Sequence, residues 1–132
     1  MRITPTNITK LKENQIFVFG SNLSGIHGSG AAKTARKWGA LYGLEEGLQG
    51  NTYAIPTKDE YAKGTLSIEH IKPYIDTFIQ FTKENLDLIF LVTEIGCGLA
   101  GLTSNQVAPL FKDSIKLKNV YLPQKFYDIL TI

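Results

Sequence analysis

The sequence predicts an α/β fold, a three-layer sandwich built around a mixed, largely parallel β-sheet. Three observations carry that expectation. β-rich runs and helical patterns alternate along the chain. The runs are continuously apolar rather than alternating, as strands covered on both faces by helices are. Two glycine-rich segments each follow a run directly, where open α/β sheets place their ligands. With 132 residues, 43% of them hydrophobic, the chain can bury a sizeable core without metal or disulfide staples, so a single domain spanning 1–132 is expected.

Taken in order, Gln15 to Phe19 is the first strand run, closed by Gly20, and Thr52 to Ile55 the second, stopped by Pro56. Leu88 to Ile95 is the third, nearly all apolar, and Val120 to Leu122 the fourth, closed by Pro123. Between them, Ala31, Ala32, Ala35 and Trp38 recur at helical spacing, the small alanines permitting close approach to a sheet. Ile71, Ile75, Phe78 and Thr82 line one face of a second helix, expected to begin near Pro73 and to stop at Asn85. Thr103 with Gln106 reads as a capping box, but Pro109 conflicts with a continuous helix there. A short turn followed by a helix starting near Ala108 resolves the conflict.

Composition excludes several classes. No apolar run is long enough to cross a bilayer and no secretory signal is evident, so a cytoplasmic protein without a membrane partner is expected. A net charge of +2, with no basic block interleaved with aromatics, gives no argument for nucleic acid as a partner. One cysteine, Cys97, rules out an internal disulfide, and with only His27 and His70 beside it no protein-held metal and no cofactor is expected.

The first glycine segment runs from Gly20 to Ala32, in which Gly25, Gly28 and Gly30 permit left-handed backbone and close approach of N–H groups to an anion. The positive end of the following helix would add to the attraction. The second runs from Gly96 to Gly101, again between a buried strand and a helix. Two such loops at one sheet edge can clamp a diphosphate from both sides. Known motifs fit poorly. Gly96, Gly98 and Gly101 match the dinucleotide spacing, but Pro123 and Gln124 stand where the acidic ribose ligand would be needed. Gly25 to Gly30 has the glycine spacing of a Walker loop, with Ala31 and Ala32 in place of its Lys and Ser/Thr.

On these residues the sequence resembles the macro-domain family, which binds ADP-ribose and in some members hydrolyses ADP-ribosyl esters or ADP-ribose 1″-phosphate. Thr6-Asn7-Ile8-Thr9 is similar to the family's Gly-Asp-Ile-Thr segment, and Val18 to Asn22 to its Val-Asn-Ala-Ala-Asn strand end. Gly25 to Ala32 and Gly96 to Gly101 stand where the family has its two glycine loops. The resemblance implies Asn7 at the adenine amino group and Asn22 at the distal ribose. It implies Gly28, Ser29 and Gly30 at one phosphate, and Gly98, Leu99, Ala100 and Gly101 at the other, with Gly96 opening that loop. A nucleotide of the ADP-ribose type is thus the expected partner. A nucleotide-sequestering or protein-interaction domain without catalysis is the alternative.

Departures from the family pattern bear on catalysis. Phe19 replaces the first Asn of the strand-end pair, and Leu99-Ala100 lack the aromatic that covers the ribose. His27, the histidine of the first loop, is either a general base for water near the ribose, alongside Asn22, or a solvated loop residue. Cys97 beside Glu94 is read as small filler, since a carboxylate raises a thiol pKa. Lys58 and Asp59 end another strand and are candidates to reach the same crevice, Asp59 more simply as a turn carboxylate.

Overall fold

The fold grows out of β1 (Gln15–Asn22), whose side chains alternate between two hydrophobic clusters. Ile16 and Val18 point to one face of the sheet, and Phe17 and Phe19 to the other. The computed structural model describes residues 2–28, 30–59, 64–98 and 100–132. Its sheet has five strands in the order β2-β3-β1-β4-β5, with β2 at Gly47–Gln49, β3 at Thr52–Lys58, β4 at Ile89–Val92 and β5 at Val120–Tyr121. β1 pairs in parallel with β3 and with β4, β4 pairs in parallel with β5, and β2 folds back antiparallel on β3.

Helices cover both faces. On one side the short α1 (Gly30–Ala35) packs Ala32 and Ala35 against Phe17 and Phe19, small residues meeting large ones. Trp38, on the 3-10 turn Arg36–Trp38 that continues it, lies with its ring 5.0 Å from that of Phe17. On the other side α2 (Ile68–Lys83), α3 (Ser104–Val107), the 3-10 helix Ala108–Ser114 and α4 (Gln124–Leu130) bury the larger cluster. Phe78 sits at its centre, edge-on to Tyr53, Phe90 and Phe111.

Several boundaries differ from the sequence expectation, each for a physical reason. β3 runs through Pro56 to Lys58, because β2 ends opposite Ala54 and leaves that flank of β3 without a paired strand that needs the missing N–H. β2 itself was not foreseen. It is three residues long and joined to β3 by Gly50-Asn51, with Gly50 at φ 59°, the dipeptide signal of a tight hairpin. The third run is strand only over Ile89–Val92, and its last residues turn into the second glycine loop.

α2 starts five residues before Pro73, because the Ser67 hydroxyl accepts from the His70 N–H and nucleates the first turn. Pro73 and Glu69 are both exposed, so water can take the carbonyl that the proline leaves unpaired. At the far end the Asn85 side chain donates to the Phe81 carbonyl at 2.8 Å and stops the helix as expected. The capping box of Thr103 and Gln106 forms. Pro109 then falls at the first turn of a separate helix, Ala108–Ser114, so the short turn followed by a helix from Ala108 forms as expected, the helix being 3-10 rather than α. α4 was not anticipated from its seven residues.

Candidate functional site

The chain passes from β1 to β3 on one side of the sheet and then to β4 on the other, so the topology reverses at β1. A crevice of about 400 Å³ opens just beyond the carboxyl ends of these three strands, within the size range of small-molecule sites. Gly20, Ser21 and Asn22 from β1, Thr57 and Lys58 from β3, and Thr93 to Gly96 after β4 make its floor. Ile26, Gly28, Gly30 and Ala31 form one wall, and Gly98 with Ala100 the other. The floor is tight at Gly20, where a Cβ would lie 3.1 Å from Thr57 Oγ1 and 3.4 Å from the Gly96 amide nitrogen. The second loop thus closes directly on the end of β1.

Most polar side chains in the floor are already committed. The Ser21 hydroxyl donates to the Glu45 carbonyl, Thr57 to that of Ser21 at 3.3 Å, and Thr93 to that of Val18 at 2.7 Å. Asn22 Oδ1 accepts from the Ile26 N–H (2.9 Å) and the Ser24 hydroxyl (3.0 Å), while Nδ2 donates to the Ile26 carbonyl (2.8 Å). A hydroxyl that has donated its proton retains only acceptor capacity. Donors for an anion must therefore come from the second Asn22 amide hydrogen, from Lys58 and from the backbone. The N–H groups of Gly28, Gly30, Gly98 and Ala100 have no partner among the described residues.

Charge at the site is nearly balanced. Lys58 forms no ion pair among the described residues, and Glu94 lies 3.8 Å from Lys125. Both members of that pair are well exposed, so the bridge is worth about 1 kcal/mol at most. Among the described residues no cluster of His, Cys, Asp and Glu is placed to hold a metal ion. No helix of the described residues is long and apolar enough to cross a membrane.

The structure brings Asn22, Gly28, Gly30, Gly96, Gly98 and Ala100 together on one crevice. Ser29 and Leu99 lie outside the described residues. Gly101 is exposed at φ 80° and stands beyond the lining. Asn7 is exposed on the N-terminal segment, also away from the lining. Asn22 keeps one amide hydrogen for a ligand, because its other bonds close the loop that follows it.

His27 is the largest departure from expectation. Its side chain is wholly buried, absent from the crevice lining, and packed between the Phe19 and Tyr42 rings. It is neither a solvated loop residue nor placed to activate water in the crevice. Burial, more than anything else around it, pushes its pKa below the usual imidazole value. Cys97 is half-buried with its Sγ 4.0 Å from the Ser104 hydroxyl, and burial first, then Glu94, raises its thiol pKa. Asp59 accepts from the Gly64 N–H at 2.8 Å, the turn role expected for it. α1 has only six residues, so the dipole expected at its start is weak and the loop amides remain as the anion donors.

Floor residues Ser21, Thr57, Thr93 and Glu94 were not singled out from sequence. The available signal was positional, since each stands at or just past the carboxyl end of β1 or of a strand beside it.

With its mixed five-stranded sheet and helices on both faces, the chain has the macrodomain fold. It is similar to a macrodomain protein from Streptomyces coelicolor, at 16% identity and a TM-score of 0.56 over 88% of this chain and 90% of that one. It is similar also to Thermosipho africanus DarTG, whose structure is in complex with ADP-ribose, at 20% identity and a TM-score of 0.60. That match covers 86% of this chain and 39% of the other. A Bacteroides thetaiotaomicron protein of unknown function matches at 14% identity and a TM-score of 0.59, over 87% and 88% of the two chains. In sequence, no family model and no curated protein matches the chain.

Proposed function

We propose that this chain binds ADP-ribose or a closely related nucleoside diphosphate, held in the crevice at the carboxyl ends of β1, β3 and β4. The observation that carries the reading is the set of backbone N–H groups on Gly28, Gly30, Gly98 and Ala100, two on each wall, that have no partner among the described residues. Backbone N–H groups brought together by glycine geometry are a standard anion cradle, and two such walls suit two linked phosphates. Lys58 adds the one cationic side chain of the described lining. The fold supports the same ligand class, since a structural neighbour is found with ADP-ribose.

Binding rather than hydrolysis is the reading these residues support. Lys58 and Glu94 are the titratable side chains of the described lining, and His27 is withdrawn behind the loop. The test is calorimetric titration of the protein with ADP-ribose, ADP, AMP and NAD, alongside melting curves. ADP-ribose is expected to bind most tightly and to raise the melting temperature in proportion to the logarithm of its concentration. Binding of AMP as tight as that of ADP-ribose would remove the diphosphate from the reading, and no response to any of the four would end it.

A further inference from the structure

The first glycine loop carries a buried group that ligand contact does not explain. His27 has no exposed surface, and neither ring nitrogen reaches a hydrogen-bond partner. Its ring stands edge-on to Phe19, centroids 5.3 Å apart at 85°, and faces Tyr42 at 6.0 Å and 28°. On the outer face of Tyr42 the Arg36 guanidinium lies 4.5 Å from the ring centroid and donates to the Tyr42 hydroxyl at 3.3 Å. The amide of Gln49 beside it is occupied, accepting from the Leu41 N–H and donating to the Leu44 carbonyl, each at 2.8 Å. The imidazole is thus packed as an aromatic ring, and the two residues that flank it in sequence, Ile26 and Gly28, are crevice wall.

We propose that His27 is a positioning residue whose neutral ring pins the first glycine loop in its binding shape, and that protonation of the ring frees the loop and weakens ligand binding. The ligand part of this inference rests on the nucleotide reading above; the coupling of ring to loop does not.

The charged groups on the elements packed around the ring give no support to an imidazolium. Phe19 comes from β1 and Gln49 from β2, neither charged. Arg36 lies behind Tyr42 and repels a second positive charge. Glu45 and Glu46, on the loop that carries Tyr42, are exposed and do not act on the ring. The Leu41 and Leu44 backbone and the Gln49 side chain favour the charged form somewhat, but burial outweighs them. A cation enclosed among aromatic faces without a paired acceptor is costly. The nearest relief is for the ring to leave, and Ile26 and Gly28 must move with it.

The sign follows from linkage. The folded protein holds fewer protons on His27 than the unfolded chain, so this residue contributes stability above the usual imidazole pKa. That contribution declines as pH falls below about 6.5 and is lost through the lowered native value.

The experiment follows ADP-ribose affinity from about pH 8 to about pH 5, in wild type, His27→Phe and His27→Ala. In parallel, the NMR resonances of the His27 ring and of the Gly28 and Gly98 amides are followed in ligand-free wild type. Wild-type affinity is expected to fall several-fold toward acid pH. His27→Phe should bind with little pH dependence, and His27→Ala should bind weakly throughout. The Gly28 amide should shift in step with the His27 ring, at a pH below the usual imidazole value, while Gly98 stays still. Wild-type affinity flat across the range, or a Gly28 amide indifferent to the ring, overturns the proposal. If the variants do not fold, the ligand-free wild-type titration decides. If ADP-ribose does not bind at any pH, the nucleotide reading fails, and the same titration still decides whether the ring holds the loop.

Discussion

The two glycine loops face one another across the crevice, but they are held in different ways. The first, from Asn22 to Gly30, is clamped by groups distant in sequence. Its Gly25 carbonyl accepts from the Gly43 N–H at 3.0 Å and His27 is buried against Phe19 and Tyr42, while the Asn22 side chain adds a local bridge to Ile26. The second, from Gly96 to Gly101, is tied mainly by its own backbone. Gly101 N–H donates to the Gly98 carbonyl at 3.0 Å and Leu102 N–H to that of Gly96 at 2.7 Å, with the Thr103 capping box closing the exit. One loop takes its shape from tertiary contacts and the other from local ones. Substitutions should therefore unfold or loosen the first at particular anchor residues, while the second tolerates change wherever its backbone is not strained.

The largest effect is expected at Gly25. It lies at φ 70°, and an added Cβ would stand 2.5 Å from the Leu44 nitrogen and 2.6 Å from the Gly43 carbonyl carbon. Gly25→Ala should cost about 3 kcal/mol or more in urea unfolding, because backbone strain and a backbone clash combine. A loss under about 1 kcal/mol would mean that the 41–46 segment yields easily and that the clamp is not rigid.

Next comes Asn22→Ala. It removes three hydrogen bonds and leaves the Ile26 N–H and carbonyl without their partners in a half-buried loop. A destabilisation of about 1–3 kcal/mol is expected, against about 1 kcal/mol for Thr103→Ala at the exit of the second loop. Equal losses at the two sites, measured in the same denaturant series, would mean that the Asn22 bridge holds the first loop no more firmly than one helix cap holds the exit of the second.

The smallest stability effect is expected where space is open and φ is not positive. An added Cβ at Gly28 meets only Ile26 Cγ2, at 3.9 Å, and at Gly98 it meets nothing within 4 Å. Gly28→Ala and Gly98→Ala should each leave stability within about 0.5 kcal/mol of wild type. Each should weaken ADP-ribose about tenfold, roughly 1.4 kcal/mol, if both backbones approach the phosphates. Gly30 is the poorer probe, since φ 59° makes any side chain there strained whatever the ligand does. Normal ADP-ribose affinity in both alanine variants would move the diphosphate out of the crevice walls.

The local rules that the sequence obeys made most of the architecture legible. The apolar runs at Gln15, Thr52, Leu88 and Val120 became strands, because a segment apolar on both sides is stable only inside a sandwich. The apolar face of α2 is buried at Ile71, Ile75, Phe78 and Thr82 as its spacing required. The capping box at Thr103 formed because its partners are three residues apart and need nothing else. Glycines followed by helices marked both crevice walls, since that backbone freedom is a property of the residue itself.

Tertiary structure alone decided the rest. Pro56 could stay in a strand only because β2 stops short of it, a fact about a neighbour and not about proline. Asn22 reads as a ligand residue with its whole amide available until Ile26 is seen to engage its oxygen and one of its hydrogens. His27 reads as a solvent-facing loop residue until Phe19, eight positions earlier, and Tyr42, fifteen later, enclose it. Burial and hydrogen-bond partnership are sums over the residues that folding brings near, and the chemistry of an imidazole or an amide depends on those sums. The sequence by itself therefore determined which segments form the central strands and where the crevice opens, whereas the packed structure decided how the strands pair and which of the crevice's polar groups remain free to act.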